Sequence, residues 1–232
     1  MSLWRHHTRL VVLVAVAAVL AVVVLVDWMG DSLGLTIRTA RSSDKTQERL
    51  EAIDRLGRSG TRKAEAVLTE IAGDPVTEIA ARAVHALGRS GEPRNLPTLK
   101  AVAEGDGRPP VREAGIVALG QLGAQTDPTV LVKALETDPA PQVRATAAKW
   151  IGNLRYWEGM PALIQGLRDP SEQVRRSAYA AVRRLWARDF LYRPDADPKE
   201  REMRIGVIEW AWDDYRRSTN FKMFRWREED QP

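Results

Sequence analysis

Apolar and polar positions between residues 44 and 186 recur with a period longer than one helix. Each copy opens on Asp, places a β-branched residue five positions later and closes on Leu-Gly or a near equivalent. The copies run from Asp74, Asp106, Asp138 and Asp169, with a fainter one from Asp44 to Gly57. Their closing apolar residues Leu56, Leu87, Leu119, Ile151 and Val182 follow one another at steps of 31, 32, 32 and 31 residues. A fixed period of this size predicts a solenoid, in which each unit buries its apolar side only against its neighbours.

Within a unit the apolar columns have helical spacing. The first holds Ile79, Val111, Val143 and Val174. Four residues on come Ala52, Ala83, Gly115, Ala147 and Ala178, then Ile53, Val84, Ile116, Ala148 and Tyr179, and three further the Leu column. Offsets of 0, 4, 5 and 8 fall on one helical face. The small residues let neighbouring helices approach closely. A shorter helix precedes each of these, over Lys63–Ile71, Leu96–Ala103, Val130–Leu135 and Met160–Leu167, with Pro97 and Pro161 in opening turns. Each Asp suits an N-cap, Pro75, Pro139 and Pro170 suit the first helical position, and Gly57, Gly88, Gly120 and Gly152 suit a left-handed helix end. No segment alternates with period two, so the expected fold class is all-α.

The run Asp-Pro, three residues, Val-Arg and an Ala-rich turn ending in Leu-Gly resembles HEAT repeats, and is similar to the short variety in bilin lyase subunits. Val111-Arg112, Val143-Arg144 and Val174-Arg175 carry the likeness, with Arg49 in the equivalent place and Ala80 replacing the Arg once. The resemblance covers 44 to about 186 and implies an α-solenoid of about five helix pairs. It also implies an Asp–Arg ladder between adjacent units, read as fixing register because exposed ion pairs are worth about 0–1 kcal/mol each. Finally, it implies that the second helices line a concave binding face. The outward columns there are Glu51, Arg82, Ala114, Thr146 and Ser177, then Asp54, His85, Val117, Lys149 and Ala180.

Ahead of the repeats, Leu10–Val26 is seventeen consecutive Leu, Val and Ala residues. That length is near the short limit for a transmembrane helix. Arg5 and Arg9 precede it and Asp27 and Asp31 follow it, which orients the chain with its repeats outward. Val24-Leu25-Val26 lacks the small residues of a cleavage site, so an uncleaved signal anchor is expected. The expected division is a cytoplasmic stub and transmembrane anchor over 1–29, a tether over 30–43, the solenoid over 44–188 and an aromatic cap with tail over 189–232. The expected location is the cytoplasmic (inner) membrane, single-pass, with the repeats facing the periplasm.

Aromatic residues are absent from Asp31 to Lys149, and thirteen occur from Trp150 onward. Pro198–Arg217, capped by Asp197, places Ile205, Ile208, Trp212 and Tyr215 on one face, with Met203, Val207 and Trp210 beside them. This predicts a helix closing the open end of the solenoid, since an end unit has one face without a neighbour. Phe221–Glu229, with Phe221, Phe224 and Trp226 among basic residues, reads either as a docking piece or as a tail.

Charge and chemistry narrow the function. From Asp31 on, 33 Lys and Arg face 30 Asp and Glu, a mixed balance that leaves no nucleic-acid footprint. There is no cysteine, which excludes disulfides, thiolate metal sites and a Cys nucleophile. Only His85 of the three histidines lies in the repeats, without the paired His-Glu set of a di-iron site. No Gly-Lys-Ser/Thr phosphate loop and no nucleophile elbow occurs. No enzyme, cofactor or metal is expected. The expected role is a non-catalytic, membrane-anchored scaffold that binds protein and not nucleic acid. Candidate contacts are Arg82, His85, Thr146, Lys149, Ser177, Phe221, Phe224 and Trp226. The rival reading is an accessory subunit of a lyase or maturation enzyme.

Overall fold

The computed structural model describes residues 32–218, which form eleven α-helices and no strand. They are α1 (32–42), α2 (Thr46–Ser59), α3 (Arg62–Ile71), α4 (Thr77–Arg89), α5 (Leu96–Gly105), α6 (Pro109–Leu122), α7 (Thr129–Thr137), α8 (Pro141–Asn153), α9 (Met160–Gly166), α10 (Glu172–Trp186) and α11 (Pro198–Arg217). Five helix pairs, from α1–α2 to α9–α10, stack in order. The second helices pack closely in succession while successive first helices touch more sparsely. The tighter row of second helices is therefore the inner side of the curve.

All four apolar columns are buried, and Ile79, Val111, Val143, Ile53, Leu87 and Ile151 have no exposure at all. Residues 32–42, expected as part of a tether, instead form the first helix of the first pair, with Ile37 and Ala40 buried. Arg49 Nε donates to the Ala40 carbonyl at 3.0 Å and ties this helix to α2.

Two of the expected local roles are displaced. The Asp residues do not occupy the N-cap. Each accepts a hydrogen bond from the backbone N–H two residues on, Asp74 from Val76, Asp106 from Arg108, Asp138 from Ala140 and Asp169 from Ser171, all at 2.8 Å. These turns deliver the chain into the helix, so Pro75, Pro139 and Pro170 sit in the turn and not in the first helical position. In the first pair Ser43, and not Asp44, makes the corresponding bond, from Lys45 N–H at 3.3 Å.

The recurrent glycines are also not helix ends. The left-handed positions come three residues later, at Gly60, Gly91, Gly123 and Arg155. A Cβ on Gly57 would stand 2.9 Å from Ala86 Cβ, and one on Gly88 would stand 2.5 Å from Ala118 Cβ. One on Gly152 would stand 2.7 Å from Ala181 Cα, and one on Gly120 would enter the Trp150 ring. The column thus sets the contact between successive second helices. In α10 the same column holds Arg183, and the close stacking of second helices stops there.

The expected ladder is present in a more buried form. Arg112 Nε and Nη2 fork onto Asp138 of the next unit at 2.8 and 2.9 Å, and Arg144 repeats the geometry on Asp169. Arg49 pairs with Asp74 through Nη2 alone, its Nε being engaged by the Ala40 carbonyl. A third nitrogen of Arg112, Arg144 and Arg175 holds the carbonyl of the Asp in its own unit, at 2.8, 2.8 and 2.9 Å. The three interunit pairs are 7–14% exposed, so they are not the exposed pairs assumed from the sequence.

Past α10, Tyr192 donates to the Leu167 carbonyl at 2.6 Å and its ring lies 5.1 Å from that of Tyr179. α11 then packs on α9, extending the row of first helices. It is fixed by Arg168, which pairs with Glu202 and Glu209. Trp157, Trp186, Phe190, Trp212 and Tyr215 form a cluster of stacked and edge-on rings at this end, with centroids 4.9–6.4 Å apart. Ile205, Ile208 and Trp212 are buried, whereas Met203, Val207 and Trp210 point away from the stack.

Among the described residues no helix is long and apolar enough to cross a membrane. Even the 20-residue α11 buries one face in the stack and carries charge elsewhere. The expectation of a single-pass inner-membrane protein with outward-facing repeats is corrected by this finding. Its intended span, Leu10–Val26, lies outside the described residues.

Candidate binding face

The inner row of second helices carries most of the sequence-predicted contacts. On α4, Arg82, His85 and Arg89 recur at spacings of three and four and so share one stripe. Asp54 on α2 accepts from Arg82 at 3.2 Å and from Arg89 at 2.7 Å. One carboxylate thereby bridges two turns of the adjacent helix.

His85 is half-buried beside these cations. Burial pulls its pKa below the ordinary imidazole value, Arg89 and Arg82 add to the effect, and Glu113 on α6 opposes it. Glu113 in turn accepts from the Thr146 hydroxyl on α8 at 2.8 Å. Arg184 on α10 donates to Asn153 at the end of α8. Polar contacts thus join α2 to α4, α6 to α8 and α8 to α10 across the row.

Arg82 and Thr146 each make such a bridge, and His85 stands between them, within the electrostatic reach of Glu113. Lys149 is exposed on the same face and Ser177 is half-buried there. The Ala114 side of the column is buried and forms part of the core. Phe221, Phe224 and Trp226 lie outside the described residues. Arg89, Glu113, Asn153 and Arg184 complete the bridges without having been singled out. Arg89 was within reach of sequence reasoning, because it stands seven residues from Arg82. The pairings across units were not, because they depend on how far one helix is shifted along the next.

A cleft of about 270 Å³ opens on the first-helix side, between α5 and α7. Its charged walls pair with one another, Lys133 with Glu104 at 3.1 Å and Arg112 with Asp138. This is a structural seam between units. Among the described residues no cluster of three or more His, Asp or Glu side chains has an arrangement that would hold a metal ion.

Residues 35–125 and 128–199 match the family model of HEAT repeats. No protein of curated function matches the sequence. Among solved structures, the complex of CpcE and CpcF of phycocyanin lyase from Nostoc is similar at 24% identity and a TM-score of 0.51. The alignment covers 67% of this chain and 65% of that one, so the chain spans just under two-thirds of that protein's length. A computationally designed armadillo repeat protein for peptide recognition is 17% identical over 77% of this chain and 99% of its own, with a TM-score of 0.47.

Proposed function

Because this chain belongs to the HEAT repeat family, we propose that it is a non-catalytic scaffold that holds a protein partner along its row of second helices. The observation that supports this reading is the row of polar side chains Asp54, Arg82, His85, Glu113 and Thr146 on successive second helices. It lies over a rigid apolar floor and offers donors and acceptors of both signs along an extended surface. Such a surface suits a folded or extended polypeptide. A nucleic-acid backbone calls for a single-sign basic groove, and this face alternates acids with bases.

A charge change on each face tests the reading. Lys149→Glu with Ala180→Glu alters the second-helix face, and Lys63→Glu with Lys100→Glu alters the first helices; all four residues are exposed. A partner recovered by the wild type and by the first-helix variant, but lost from the second-helix variant, supports the proposal. Equal recovery by all three proteins overturns it. A steep loss of binding with salt would point instead to nucleic acid.

The reading as an accessory subunit of a lyase draws on the likeness to the Nostoc complex, which is a likeness of fold, and one fold serves many tasks. Absorbance transfer from a free bilin to an apoprotein in the presence of this chain separates it from the scaffold.

A further inference from the structure

The inner row stops alternating acids with bases at its last two second helices. Residues 140–157, which contain α8, and residues 174–188, which contain most of α10, hold no carboxylate, whereas α2, α4 and α6 each carry at least one. Arg144 and Arg175 belong to the ladder. Lys149, Arg155, Arg184 and Arg188 are exposed, and among the described residues none of these four pairs with a carboxylate. Asp189, next to Arg188, is taken up by the Tyr179 hydroxyl and by Arg183. Glu113 reaches α8 only at Thr146.

The four cations sit toward the C-terminal ends of α8 and α10, which one hydrogen bond ties together. Arg184 Nη1 donates to Asn153 Oδ1, and Lys149 lies one turn before Asn153 on α8. The amide oxygen is thereby occupied and only the NH2 of Asn153 remains. Of these five side chains, every polar group left to solvent is a donor.

Arg155 gives a second, independent sign. It stands at φ 53°, where the three earlier units place Gly60, Gly91 and Gly123. A side chain strains the backbone there and glycine would relieve it. The arginine therefore holds its place against local backbone preference, which points to a contact outside the fold.

We propose that this patch binds an acidic segment of a protein partner, whose carboxylates accept from Lys149, Asn153, Arg155, Arg184 and Arg188. The inference rests on the inner row being the partner-binding face, and names the chemistry of the partner's contact. An ionised carboxylate only accepts, and its bonds to guanidinium and ammonium are charge-assisted and strong. Extent separates this ligand from nucleic acid. No Lys or Arg occurs from Glu113 to Val132, so the cations span two helices about 10 Å apart. A nucleic-acid strand calls for a basic groove that tracks its whole backbone.

The test is fluorescence anisotropy of a labelled, end-capped (Glu-Ala)5 peptide with the full-length protein at physiological salt. Binding should weaken at least about tenfold in Lys149→Gln/Arg155→Gly/Arg188→Gln. It should stay within about twofold in Lys63→Gln/Lys100→Gln, which removes exposed cations from the first helices. No binding to the wild type, or an equal loss in both variants, overturns the proposal. Either result leaves the inner-row reading intact, because that reading is decided by recovery of the natural partner. Tighter binding of a ten-nucleotide oligothymidylate or of phosphatidylserine vesicles, lost in the same patch variant, also overturns it. Arg155→Gly alone should weaken the peptide while raising the melting temperature, since it relieves the strained turn. An unchanged peptide affinity, or a lowered melting temperature, overturns the proposal.

Discussion

Arg112 on α6 grips both carboxylate oxygens of Asp138 in the following unit, at 2.8 and 2.9 Å, with the two side chains 9% and 7% exposed. Removing one partner of so enclosed a pair strands the other charge, which costs about 3–5 kcal/mol. Arg112→Ala should therefore lower the urea midpoint strongly. Arg41→Ala, which breaks an exposed pair with Glu70, should cost under about 1 kcal/mol. Because each unit touches only its neighbours, hydrogen exchange in Arg112→Ala should quicken first where α6 meets α8.

The missing rung has its own repair. Ala80 stands where Arg112 and Arg144 stand in later units, so Asp106 receives no arginine from the unit before it. Arg108 replaces it from within the same unit, binding Asp106 through Nε and Nη2 at 3.0 and 2.8 Å and reaching back to the Asp74 carbonyl at 2.6 Å. The Arg108 contacts hold the Asp106 carboxyl below its ordinary pKa, against the opposing effect of burial. Arg108→Ala should cost about 1–3 kcal/mol by orphaning both acceptors. Ala80→Arg should recover part of that loss in the Arg108→Ala background and gain nothing in the wild type, as a thermal-denaturation double-mutant cycle would show.

The periodic core was legible because burial repeats with the unit: every residue in the Ile79, Ala83, Val84 and Leu87 columns is inside. What stayed hidden depends on register between units. Gly88 reads locally as a helix end, and only the position of Ala118 on the next helix shows that it is a contact point. The same holds for Asp54, whose bridge to Arg82 and Arg89 joins residues 28 and 35 positions apart. Residues 32–42 looked like a tether because a helix with only Ile37 and Ala40 inside has a weak apolar pattern. Met203, Val207 and Trp210 looked like part of the cap because apolar residues occur on both sides of α11.

Two glycines should respond oppositely to the same substitution. Gly88→Ala drives a methyl against Ala118 Cβ at 2.5 Å and its Cα at 2.7 Å. Backbone atoms cannot swing aside, so overpacking of about 1–3 kcal/mol follows. Gly206→Ala adds a methyl in open space within a helix, where losing glycine's unfolded-state freedom stabilises by about 0.5–1 kcal/mol. Chemical denaturation of the two variants should give shifts of opposite sign.

His85 should make the stack acid-sensitive in a defined direction. Burial, then Arg89 and Arg82, lower its pKa in the fold below the ordinary 6.5, with Glu113 the one opposing charge. The unfolded chain therefore takes up a proton at higher pH than the folded one. By linkage, stability is full above about pH 6.5 and declines as pH falls below it. His85→Gln removes this proton uptake while keeping a polar side chain of similar length. The difference in melting temperature between wild type and variant should be constant above pH 6.5. It should shift in favour of the variant as the pH is lowered toward 5. A difference that stays constant across the whole range would mean that His85 is not held neutral by its surroundings.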